Sequence, residues 1–305
     1  MSEPQRIRGV LAPVVTPFDK DLTPDPQRLV AHCKWLMSQN CGLAVFGTTS
    51  EGNSLSVDEK CDLLDALVYA DIDPTRMMPG TGTCALPDTV RLTTKAVNAG
   101  CAGVLMLPPF YYKGVTEDGL FRSFAEVIER VGDDRLRIYV YHIPPVAVVG
   151  ISPQLIERLL RAYPTAIAGV KDSSGDWANT KTLLDAFSGS GFDVFVGSES
   201  FLLANMQHGG VGCISATANI NPAAIDELFR RWQQPEAQML QDSLDAVRKI
   251  TGTYSMIPSL KAVLAHFTGD EDWAIVRPPL DQLTTAKAAD LLAKLEQTGF
   301  AMQGI

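Results

Sequence analysis

The chain lacks the patterns that mark metal, redox, membrane and nucleic-acid proteins. Its six cysteines, Cys33, Cys41, Cys61, Cys84, Cys101 and Cys213, fall nowhere at C-x-x-C or C…H-x-H spacing. Neither a zinc site nor a dithiol pair is expected, and the thiols read as buried core. No apolar run approaches the ~18 residues of a membrane span, and residues 1–6 carry no apolar stretch of the signal-peptide kind. These absences predict a cytoplasmic protein in a reducing setting. Positive charge is also short, with 26 Lys+Arg against 35 Asp+Glu for a net charge of −9. That balance argues against nucleic acid or an anionic membrane as a partner, while leaving a small anionic substrate open. The first strand-like run is not followed by a G-x-G-x-x-G turn, so dinucleotide binding has no support.

What is present is a regular alternation. Short apolar runs at 10–16, 43–46, 77–82, 103–107, 137–142, 166–171, 193–197 and 212–215 read as buried strands. Between them, apolar residues recur at helical spacing over 25–37, 57–69, 88–99, 117–130, 153–163, 179–187 and 201–208. Ser56-Val57-Asp58-Glu59 has the form of a capping box, Ser152-Pro153 that of an N-cap with proline in the first turn, and Asn221-Pro222 that of another cap. Eight strand–helix units with parallel pairing predict an α/β fold, a (β/α)8 TIM barrel over residues 1–235. Residues 236–305 read as helices only, over 238–250, 259–266 and 284–297. No linker rich in Gly or Ser precedes them, so this C-terminal helical block is expected to pack on the barrel.

In such barrels the reactive groups stand at the C-terminal ends of the strands. The segment Gly169-Val170-Lys171-Asp172-Ser173-Ser174-Gly175 delivers a lysine there. Desolvation in a pocket favours the neutral amine that attacks a carbonyl to form a Schiff base. A plainer alternative is a lysine solvated or paired with Asp172. Thr48 and Thr49 end the second strand and offer hydroxyls and turn amides to a carboxylate, or form a simple turn. Tyr141, at the end of the fifth, can relay protons or be core. Phe110-Tyr111-Tyr112 can be loop or interface aromatics, and His142 alternates to the face opposite Tyr141 and reads as structural.

Six motifs in order carry a resemblance: Ala12-Pro13-Val14-Val15-Thr16-Pro17-Phe18, Gly47-Thr48-Thr49-Ser50-Glu51-Gly52, Pro108-Pro109-Phe110-Tyr111-Tyr112, Tyr141-His142-Ile143-Pro144, the Lys171 segment, and Gly209-Gly210-Val211-Gly212-Cys213-Ile214-Ser215. Over nearly its whole length the chain resembles the dihydrodipicolinate synthase and N-acetylneuraminate lyase family of class I Schiff-base aldolases. The resemblance implies that Lys171 forms the imine, and that Tyr141, Thr48 and Tyr112 relay protons. It implies that Thr49 holds the pyruvate carboxylate beside Gly197 and Ile214, with no cofactor or metal. It also implies a homotetramer, a dimer of dimers, in which Tyr112 reaches the neighbouring subunit's site. The substrates implied are pyruvate and an aldehyde.

Two departures bear on the aldehyde. Residues 142–150 contain no arginine, where dihydrodipicolinate synthases carry one for the acceptor's carboxylate, and Ser50 replaces a glycine. Ser173, with Glu199, is expected to bind hydroxyls of a sugar-acid chain. The expected activity is therefore making or breaking a C–C bond of pyruvate with an unassigned aldehyde. The narrower alternatives are 4-hydroxy-tetrahydrodipicolinate synthase itself, a lyase or dehydratase of N-acetylneuraminate or 2-keto-3-deoxy sugar acids, and a non-catalytic 2-oxo acid binding protein.

Overall fold

Apolar runs too short for helices, each followed by an amphipathic helix, leave parallel pairing as the way to bury both sheet faces. The computed structural model, which describes residues 6–305, has seven parallel strands. They are β1 Gly9–Ala12, β2 Gly42–Leu43, β3 Val104–Met106, β4 Ile138–His142, β5 Ile167–Asp172, β6 Asp193–Val196 and β7 Gly212–Ile214, in the order β2-β1-β7-β6-β5-β4-β3.

The strand expected at 77–82 is not a ladder strand. It contributes two isolated parallel bridges, Leu43↔Met77 and Gly80↔Leu105, with Met78 N donating to Leu43 O at 2.8 Å and Leu105 N to Pro79 O at 2.8 Å. Pro79 has no N–H to continue the ladder. A Cβ on Gly80 would lie 2.6 Å from the Phe46 carbonyl, so the backbones meet too closely for side chains. These bridges nevertheless join the sheet's two edges, and it curls into a TIM-barrel-like enclosure.

Burial then sorts by strand parity. Leu11, Leu105, Tyr139, Tyr141, Phe195 and Ile214 fill the interior, whereas Val10, Val140, Val170, Val194 and Cys213 pack under the helices. The Ser56 capping box is formed, and Ser152 Oγ accepts from Leu155 N. Asn221, expected as a cap, makes no side-chain capping bond. Residues 144–147, directly after β4, form a one-turn helix. Among the thiols, Cys33, Cys41 and Cys213 are buried as expected, and burial pushes Cys41 up to about 12. Cys61 and Cys101 are only half-buried and Cys84 is exposed, which corrects the reading of all six as core.

Beyond the sheet the chain is helical, with Ala237–Thr251, Met256–Thr268 and Thr285–Glu296. These helices hold the mouth of the barrel through buried polar contacts. Gln241 donates to Glu199 O at 3.0 Å and accepts from Leu203 N at 3.1 Å, and Lys261 pairs with Glu51 out of contact with water.

One further buried polar group ties the segment after β1 to the segment after β7. Asn219 accepts from Val15 N at 3.0 Å and donates to Pro13 O at 3.1 Å and Ala216 O at 2.9 Å. The Nε2 of His32 lies 3.3 Å from the Asn219 Oδ1, an acceptor, so Nε2 carries the proton and the buried Nδ1 is left without a partner. Trp35 and Trp273 pack on the ring, and burial pushes the His32 pKa down from 6.5 to about 4. Between those values the unfolded chain binds a proton that the folded chain refuses, so stability is lost as pH falls through the window. Urea unfolding is expected to show a loss of roughly 3 kcal/mol between pH 6.5 and 4 that is missing in His32→Gln. An unchanged pH slope in that variant would contradict the assignment.

Candidate active site

A cavity of about 350 Å³ opens at the C-terminal ends of the strands. Lys171 reaches it because of a register shift. Ile138 pairs with Ile167, but Tyr139 pairs with Gly169, so Ala168 is an extra residue on β5. Ile167 faces the helices and Ala168 the interior; past the bulge Val170 faces the helices again and Lys171 turns inward beside its partner Tyr141. Gly169 is required at this step, because a Cβ there would lie 2.3 Å from Asp193 O and 2.8 Å from the Tyr139 ring.

The Lys171 side chain is 4% exposed, and its Nζ sits 4.3 Å from the centre of the Tyr141 ring. Among the described residues no carboxylate lies within ion-pair distance of it. Asp172, the alternative partner, is occupied elsewhere. Its carboxylate accepts from Ser174 N at 2.9 Å, Asn179 Nδ2 at 3.0 Å and Thr180 Oγ1 at 2.6 Å.

The remaining walls follow from local backbone geometry. Thr48 Oγ1 lies 3.4 Å from the Tyr141 hydroxyl, and Thr49 lines the cavity next to it. Their loop is held by Glu51, a residue at φ 55°, whose buried carboxylate meets Lys261 and accepts from Arg277 N at 2.9 Å. Burial pulls the Lys261 pKa down to about 8 against the pull of Glu51. Thr16 Oγ1 adds a bond to Ser50 O at 2.7 Å. Gly197 leaves bare backbone at the wall, since a Cβ there would fall 2.0 Å from Ser173 Oγ, and Ile214 closes the floor.

Lys171, Tyr141, Thr48, Thr49, Ser173, Gly197 and Ile214 thus share one cavity. Tyr112 does not join them within the chain. It is 74% exposed, set edge-on to Tyr111, on a loop that Lys113 ties to Ala147 O at 3.2 Å. Glu199, expected to offer hydroxyl contacts with Ser173, is 1% exposed and takes the hydroxyls of Ser215 and Thr217 instead. It stands behind the wall. His142 faces away as read, its Nδ1 accepting from Ile151 N at 2.9 Å.

Sequence reading missed Arg248, which lines the same cavity from helix Ala237–Thr251. Its Nη1 lies 3.5 Å from Glu199 Oε2. No motif surrounds it, and only tertiary packing brings it to the strand ends. Among the described residues no cluster of His, Cys, Asp and Glu could hold a metal ion, and no helix is long and apolar enough to cross a membrane.

If the carboxylate of Asp172 is structural, Asp172→Asn places an amide N–H₂ against the Asn179 and Thr180 donors and is expected to cost about 2 kcal/mol in chemical denaturation. The rate at which Lys171, open only to the cavity, reacts with a small amine-directed reagent should stay unchanged. A large change in Lys171 labelling without loss of stability would show the two side chains to be coupled after all.

The model of the dihydrodipicolinate synthetase family matches residues 6–298. A DapA-like lyase of Chloroflexus aurantiacus, itself uncharacterised, is 33% identical over 300 residues, covering 97% of this chain and 98% of the relative. The 4-hydroxy-tetrahydrodipicolinate synthase of Rhizobium meliloti is 32% identical, with 96% of this chain and 98% of the relative covered. Among solved structures, dihydrodipicolinate synthase from Agrobacterium tumefaciens superposes with a TM-score of 0.85 at 30% identity, over 96% of this chain and 99% of that one. By sequence over almost its full length, and by fold, this chain belongs to the dihydrodipicolinate synthetase family.

Proposed function

We propose that this family member is a class I aldolase or lyase that makes or breaks a carbon–carbon bond between pyruvate and an aldehyde through an imine on Lys171. One observation carries the reading: a buried lysine, with no carboxylate at ion-pair distance among the described residues, stands next to the end of β5 in a cavity, over the ring of Tyr141, whose hydroxyl lies 3.4 Å from Thr48 Oγ1.

The chemistry follows from those groups. The Lys171 amine adds to the pyruvate carbonyl, water leaves, and the resulting iminium is an electron sink. The pyruvate methyl then loses a proton and becomes an enamine carbon, which attacks the aldehyde carbon. The aldehyde oxygen takes up a proton, and water hydrolyses the iminium to free product and amine; the reverse order cleaves the same bond. Tyr141 and Thr48 are suited to carry these protons, because neutral hydroxyls in a site shielded from water exchange them without creating a buried charge. Thr49, with the turn amides beside it, suits the pyruvate carboxylate, and Gly197 lets the wall approach it closely. Ser173 stands near enough to touch the acceptor. No cofactor or metal enters this scheme.

Tyr112 belongs to the proposal through assembly. The exposed Tyr111, Tyr112, Val146 and Val148 make an apolar surface beside the cavity mouth. That exposed surface is what a homotetramer, a dimer of dimers, would bury against a second copy, with Tyr112 entering the neighbour's site. Six unpaired thiols are in keeping with the cytoplasmic setting.

Borohydride reduction with pyruvate is expected to add a stable mass at Lys171, and none in Lys171→Ala. Tyr141→Phe should keep the adduct while lowering kcat by roughly 10²- to 10⁴-fold. The absence of an adduct on the native chain contradicts the proposal.

A further inference from the structure

We propose that Lys261 is a positioning residue for the reaction: its buried pair with Glu51 sets the turn that presents Thr48 and Thr49, so the grip on the pyruvate carboxylate depends on a side chain outside the cavity lining. The inference rests on the aldolase reading above. The turn is short. Glu51 N donates to Thr48 O at 3.1 Å and Gly52 N to Gly47 O at 3.0 Å, which makes Thr49 the second of the four turn residues 48–51. The last of them, Glu51, has φ 55° and ψ 31°, in the left-handed region that any side chain beyond glycine's hydrogen disfavours. Left to its own preference, the backbone at residue 51 returns to negative φ and the turn before it changes course.

What opposes that return sits at the end of the Glu51 side chain. Both carboxylate oxygens are taken, Oε1 by Lys261 Nζ and Oε2 by Arg277 N at 2.9 Å. Lys261 is itself fixed by Ile275 O at 2.7 Å and by the Phe18 ring, whose centre lies 4.4 Å from Nζ. Neither side chain of the pair touches water. Drawing the carboxylate away from the ammonium there leaves two buried charges unpaired, so the pair resists small shifts that a surface pair allows. The Thr16 bond to Ser50 O fixes the middle of the turn, not the direction of its last residue.

Lys261 also links the turn to another part of the site. It stands on helix Met256–Thr268, four residues after Ile257 and on the same helix face, and Ile257 lines the cavity together with Met256. One helix thus carries a piece of the cavity wall and the anchor of the turn.

The test is borohydride trapping on Lys171 across a range of pyruvate concentrations, with no aldehyde present. Lys261→Met keeps an unbranched side chain and removes its charge. The half-saturating pyruvate concentration should rise by roughly 10- to 100-fold, the scale of one charge-assisted contact, while the adduct reached at saturation stays within about threefold of native. Two double variants separate positioning from a general loss of stability. Glu51→Gly/Lys261→Met and Glu51→Ala/Lys261→Met both delete the buried pair, and both leave Arg277 N and Ile275 O without it. They differ in whether residue 51 adopts positive φ freely. The glycine double should return to within about threefold of the native half-saturation, and the alanine double should stay as weak as Lys261→Met. The doubles leave no buried charge unpaired at this place, and they carry the test if Lys261→Met does not fold. Native half-saturation in Lys261→Met, or one and the same half-saturation in both doubles, overturns the inference while the native adduct still forms. No adduct on the native chain sinks the aldolase reading and this inference with it.

Discussion

The register between β4 and β5 is the constraint on which the site depends. Side chains alternate across a strand, so a slip of one residue exchanges inside for outside. Ile167 faces the helices, and an unbroken strand would send Lys171 the same way. The extra residue at Ala168 reverses the parity and puts Lys171 opposite Tyr141. The bulge is itself fixed by packing. Gly169 makes room for the Tyr139 ring, whose hydroxyl donates to Asp193 at 3.1 Å on β6, and Phe195 packs edge-on against that ring. Tyr139, fully buried at the bottom of the barrel, thus determines where a lysine points at the top.

A second constraint comes from outside the sheet. The Thr48–Thr49 loop contains backbone in the left-handed region at Phe46 and Glu51, conformations that non-glycine residues adopt at a cost. The buried Lys261–Glu51 pair and the Arg277 contacts hold it there. Such pairs add little net stability, because desolvation offsets most of their attraction. Their use here is positional. The same helical region supplies Arg248 to the cavity, so residues after 236 form part of the site wall as well as its scaffold.

Much of this was legible in the chain because the signals are local. Apolar runs ended by Gly, Pro and Thr mark the strands, and the Ser56 box and Ser152 cap mark helix starts through side-chain bonds to backbone N–H groups three residues away. Strand ends then brought Lys171, Tyr141, Thr48, Thr49, Gly197 and Ile214 together, since a parallel curled sheet points every C-terminal end the same way. What escaped depended on distant contacts. The bridging role of 77–80 turns on how closely the Phe46 carbonyl passes Gly80. The burial of Glu199 turns on hydroxyls at Ser215 and Thr217, and the reach of Arg248 on where a late helix lands. Tyr112 is the inverse case: its place was read by resemblance, and within one chain it stays at the surface.

The most direct test of the account follows pyruvate in D2O with no aldehyde present, by proton NMR. An enamine on Lys171 must exchange the methyl hydrogens for deuterium whichever acceptor the enzyme uses. The account predicts exchange with the native chain, much slower exchange with Tyr141→Phe and none with Lys171→Ala. A methyl signal that persists with native protein, or one that fades equally with Lys171→Ala, would contradict it.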